Sequence, residues 1–65
     1  MINTMTDVLK NAVDRAIDYE KMEYETGTIL WAWDEVVQVA AATNHVNMFM
    51  FAIRHLNELG AYAEV

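Results

Sequence analysis

Apolar residues return every three or four positions along most of this chain, and no stretch alternates long enough to read as a strand. In the first third, Val8, Leu9, Ala12, Val13, Ala16 and Ile17 fall on one side of a helix, and Tyr24 continues the series. Asp7, Lys10, Asn11, Asp14, Arg15, Asp18, Lys21 and Glu25 fall on the other. The spacing predicts a helix over 5–26. Thr4, with Asp7 three residues on, gives it a capping-box-like start. Gly27 suits the position just past its end, and Thr28 can cap the next helix.

The stretch 28–59 holds both tryptophans, both phenylalanines and both histidines. At roughly 100° per residue, Ile29, Trp33, Val36, Val37, Val39 and Ala40 share one side, and Asp34, Glu35 and Gln38 the other. Past Thr43 the pattern inverts. Val46, Phe49, Ala52, Ile53 and Leu56 take the side the acids held, while Asn47, Arg54, Asn57 and Glu58 take the side that was apolar. One physical solution is a break at Thr43-Asn44-His45, with Asn44 or Thr43 capping a new helix. The other is a single long helix of about 30 residues that gives its halves to different neighbours, which in so small a chain implies an oligomer. The break is the favoured solution, although no proline or glycine marks it. Leu59-Gly60 reads as the last stop, leaving 60–65 as a tail that Tyr62 could anchor.

The expected fold is therefore all-α and a single domain over 1–65. It is a small antiparallel bundle of three helices (about 5–26, 28–42 and 44–59), or a hairpin of one medium and one long helix. The chain has 65 residues, no cysteine and 55% apolar composition. So short a chain usually needs disulfides, a metal, a partner or very efficient packing. Disulfides and thiolate metal sites have no residues to form them. Burying so much apolar surface in one small monomer is geometrically hard, so a homo-oligomer or a dedicated partner is expected.

A net charge of −6, with only Lys10, Arg15, Lys21 and Arg54 basic, argues against direct nucleic-acid binding and against anionic membranes. No run of 18 apolar residues occurs, since Asp34, Glu35 and Gln38 interrupt the best one. The first residues lack a signal-peptide pattern, and Ile2 stands where myristoylation needs glycine. These features point to a cytoplasmic protein.

Three constellations carry candidate chemistry. Asp7, Asp14, Asp18 and Glu25 form an acidic face on the first helix; such a row can imitate nucleic-acid phosphates, or it is a solvated surface neutralised by Lys10, Arg15 and Lys21. Glu20 and Glu23 lie toward the apolar side of that helix. With His55 and Glu58 they could form a carboxylate/histidine metal cluster, although the order His-x-x-Glu reverses the usual one in di-metal bundles. The alternative is a helix rim where both charges reach water, and no metal or other cofactor is expected. His45 reads as a helix-start residue. Third, Trp31, Met50 and Phe51 point to the polar sides of their helices, as interface anchors do.

No nucleophile–base motif is present, so the chain is read as a non-enzyme. The favoured function is an acidic protein-binding module acting by stoichiometric contact with itself or with a larger cytosolic host protein. Small inhibitors and regulators made by phages and mobile elements have this profile. The alternatives are a nucleic-acid mimic that blocks a DNA- or RNA-handling enzyme, and a metal-binding bundle.

Overall fold

Two left-handed residues, neither of them glycine, divide the chain into helices. In the computed structural model the described residues are 4–64 for the backbone and 7–60 for side chains. They form α1 (Thr4–Lys21), α2 (Thr26–Ala42) and α3 (Val46–Glu64). Glu23 has φ 56° and Asn44 has φ 62°. Around Glu23 the amide of Tyr24 donates to the Tyr19 carbonyl at 3.1 Å, and the Glu23 amide donates to Glu20 at 3.1 Å. This is a Schellman ending, completed by the stacking of Tyr24 on Tyr19 with ring centroids 4.6 Å apart.

The same ending recurs at the second connection. There the His45 amide donates to Ala40 at 2.9 Å and the Asn44 amide to Ala41 at 3.2 Å. Thr43 closes α2, its hydroxyl 2.7 Å from the Val39 carbonyl oxygen. The hydroxyl also lies 2.7 Å from Nδ1 of His45. With its own proton given to Val39, the hydroxyl accepts from Nδ1–H. His45 in turn accepts the first backbone bond of α3, from Phe49 at 2.9 Å.

The all-α three-helix expectation holds, and the chain breaks at 43–45. Several boundaries differ. The first helix ends at Lys21, not at 26, because Glu23 adopts the left-handed ending four residues before Gly27 is reached. Gly27 lies in the first turn of α2, whose N-cap is Glu25 with no side-chain capping bond; Thr28 is inside the helix. Thr43 and Asn44 end α2 and do not cap α3. Gly60 has no positive φ and is interior to α3, so 60–64 is helix where a tail was expected. The side chains of Thr4 and Tyr62, invoked as cap and anchor, lie outside the described residues.

Both connections are short, so neighbouring helices run antiparallel. α2 is the centre, packing on α1 along one side and on α3 along the other. Among the described residues no Cα of α1 lies within 8 Å of one in α3; these two meet only through side chains. The Cα atoms span 45 × 22 × 12 Å, a slab and not a globule.

Candidate interaction surface

The residues that fill the middle of the slab are mostly small. Ala12 and Ala16 of α1, Ala32 and Ala40 of α2, and Ala52 of α3 are buried, together with Leu9, Trp33 and Val36. Alanines at facing positions let helix backbones approach closely, but they remove little apolar area from water. Trp33, 2% exposed, supplies the largest buried side chain in this set, and its indole Nε1 has no hydrogen-bond partner. Ile29, Met48, Phe49, Leu56 and Leu59 pack partly buried against this set, but other large apolar side chains stand in water. Val8, Met22, Trp31, Val46, Met50 and Phe51 are all at least half exposed. Val46, expected on the core side of its helix, is among them: it is the first residue of α3 and lies at the edge of a cleft with Ala40 and Ala41 of α2.

Trp31 is 55% exposed and forms one wall of a groove of about 690 Å³ between the first half of α2 and the last half of α3. Leu30, Asp34, Leu56 and Asn57 line it with Gly27 and Gly60. Met50 and Phe51 are exposed to the same degree but do not line this groove. Phe51 belongs to an aromatic group around Trp33: its ring stacks on His55 at 5.9 Å and 8°, and His55 meets Trp33 edge-on at 4.6 Å. One part of Phe51 is thus packed while the rest faces water. The three anchors expected from the sequence are all exposed, on at least two separate parts of the surface.

Sequence reasoning missed the groove itself. Of its lining residues, Leu30 and Asp34 open a run on α2, Leu30, Asp34, Val37 and Ala41, that follows the alternating four-and-three interval of a heptad seam beside the stripe that builds the core and extends past the groove. Val46, Met50, Ile53 and Asn57 repeat that interval on α3.

The acidic face is only partly continuous. Asp7, Asp14 and Asp18 are exposed on α1, but Glu25 sits at the N-cap of α2, outside that helix. Asp14 is paired with Lys10 at 3.0 Å. Arg15 turns away from the row to bind Glu35 of α2, tying α1 to α2.

Of the four residues considered for a metal, two come together. Nε2 of His55 lies 2.9 Å from Oε1 of Glu20, both partly buried, and this bond bridges α3 to α1 across the aromatic group. Glu23 is exposed in the turn after α1, and Glu58 is exposed on α3. Among the described residues no group of three or more His, Asp or Glu side chains converges as a metal site would require. Among the same residues no helix is long and apolar enough to cross a membrane.

The chain matches no known protein family, no curated protein and no solved structure. Inference about function therefore rests on the surface.

Proposed function

We propose that this protein is a non-enzymatic protein-interaction module that works by stoichiometric contact, with Trp31, Met50 and Phe51 among its anchors. One observation carries this reading: the fully buried set is largely alanine, while Trp31, Met50 and Phe51 are each more than half exposed. A small chain gains little by holding tryptophan, methionine and phenylalanine in water, whereas a desolvated contact uses them fully. The acidic residues of α1 and its following turn give the module a charged flank that favours basic partners and raises the rate of encounter with them. Inhibition or regulation of a larger cytosolic host protein is the activity such a module would perform.

Native mass spectrometry of the tagged protein, purified gently from the cells that make it, tests the proposal. Expected are defined complexes at fixed stoichiometry; Trp31→Ala removes the complex with a larger protein while the helical circular dichroism signal stays. A chain that remains monomeric and partner-free in every preparation contradicts it.

A nucleic-acid mimic keeps less support, since Lys10 neutralises Asp14 and Glu25 leaves the row. Charge reversal of Asp7 and Asp18 separates the two readings. A mimic loses its target, while a module held by Trp31 and its apolar neighbours keeps most of its affinity.

A further inference from the structure

The face of the α2–α3 hairpin turned away from α1 is not finished. α2 presents Leu30, Asp34, Val37 and Ala41 at heptad spacing, and α3 presents Val46, Met50, Ile53 and Asn57 at the same spacing. Leu30, Val37 and Ile53 are only half-buried within the chain, and Asp34, Ala41, Val46, Met50 and Asn57 are exposed. Two seams on adjacent antiparallel helices, both open on one face, make half of a four-helix bundle.

Resting on the protein-interaction reading above, we infer that the occupant of this face is a second copy of the chain. The two copies are related by a two-fold axis parallel to the helices, so that each α2 lies across the partner's α3. Every helix in the resulting four-helix core then has antiparallel neighbours, the arrangement of an up-down-up-down bundle.

Charge selects this pairing over its alternative. Gly27 and Gly60 line the groove at one end of the hairpin, and Ala41 and Val46 share a cleft at the other. Midway between them lie Asp34 on α2 and Ile53 on α3, and Arg54 follows one residue, about 1.5 Å of rise, further along. Asp34 and Arg54 are both exposed; Asp34 has only a neutral partner, Gln38 at 2.7 Å, and Arg54 makes no ion pair among the described residues. Laying α2 across the partner's α3 sets Asp34 against the partner's Arg54 twice, once on each side of the axis. Laying α2 across the partner's α2 would instead oppose Asp34 to its own copy, a like-charge contact. The six carboxylates of α1 and its turn (Asp7, Asp14, Asp18, Glu20, Glu23 and Glu25) stay on the outside of the dimer. The net charge of −6 therefore does not oppose the contact at its centre.

The test is a charge exchange read by sedimentation velocity, from low micromolar concentration upward, with circular dichroism as the folding control. Wild type is expected to be a dimer. Asp34→Arg alone and Arg54→Asp alone each create two like-charge contacts and should weaken association by about tenfold or more. An equimolar mixture of these two variants restores both attractive pairs and should dimerise, as should the single chain carrying both changes. Single variants that dimerise like wild type, or a mixture and a double variant that stay monomeric, overturn this arrangement. A wild-type chain that is monomeric alone, yet still binds a larger protein through Trp31, also overturns it while leaving the interaction function standing.

Discussion

Trp33 and Trp31 sit two positions apart and do opposite things. Trp33 is 2% exposed, packed against His55 and Phe51, while Trp31 is 55% exposed above a groove. Replacing Trp33 with alanine should cost about 3–5 kcal/mol, enough to unfold so small a chain. Trp33→Phe should cost much less, because the buried indole Nε1 has no partner to lose. Urea unfolding of both variants checks the difference. The same Trp33→Phe variant leaves Trp31 as the only indole. Its fluorescence should be quenched readily by acrylamide in dilute solution and protected once a complex forms.

Glu23 is the other informative residue. A side chain held at φ 56° costs about 1 kcal/mol that glycine does not, so Glu23→Gly should stabilise the protein by up to roughly that amount, less the flexibility glycine adds to the unfolded chain. A fall in the thermal midpoint would show that Glu23 does more than end the helix.

At the level of the helices, hydrophobic rhythm and the stop at the end of α2 were legible, while the end of α1 and the run of α3 through Gly60 were not. The rhythm of Val8 to Ile17 and the inversion after Thr43 report which side of each helix is apolar, and α1, α2, α3 and the break at 43–45 follow from them. Glycines are the usual markers of left-handed helix ends, but here Glu23 and Asn44 occupy those positions, stabilised by Tyr24 stacking on Tyr19 and by Thr43 and His45. Those contacts depend on the turn already being formed, so the order of residues does not announce them. Gly60, conversely, is an ordinary interior residue with open space around the position a Cβ would take. Gly60→Ala should therefore raise stability by about 0.5–1 kcal/mol, measured by thermal unfolding, whereas a helix stop at this position would lose stability on the same change. Ala40 and Ala52 behave in the opposite sense. Both are fully buried between close helices, and Ala40→Leu should destabilise by about 1–3 kcal/mol through overpacking.

On the scale of the whole chain, the slab shape and the small-residue core belong together. Helices spaced by alanines come close but enclose little volume, so side chains as large as Trp31, Met50 and Phe51 find no room between them. Their exposure was legible in the sequence as large residues on polar helix sides. Their distribution was not, since the groove beside Trp31 and the stack of Phe51 on His55 depend on how α3 lies against α2. The bond from Glu20 to His55 was half legible: Glu20 stood out on the apolar side of its helix and His55 was grouped with it, but as a metal candidate; their direct pairing required α3 to reach α1 across α2.

The most direct test is Trp31→Ala, followed by circular dichroism and native mass spectrometry on the same sample. If the large apolar residues are a contact surface and not a misplaced core, the helical signal is retained and the complex with a larger protein is lost. Pairing of copies across the α2–α3 face, which Trp31 only borders, is read by the charge exchange. Loss of the helical signal would place Trp31 in the core, and unchanged complexes would place the contact surface elsewhere; either result contradicts the interaction surface described above.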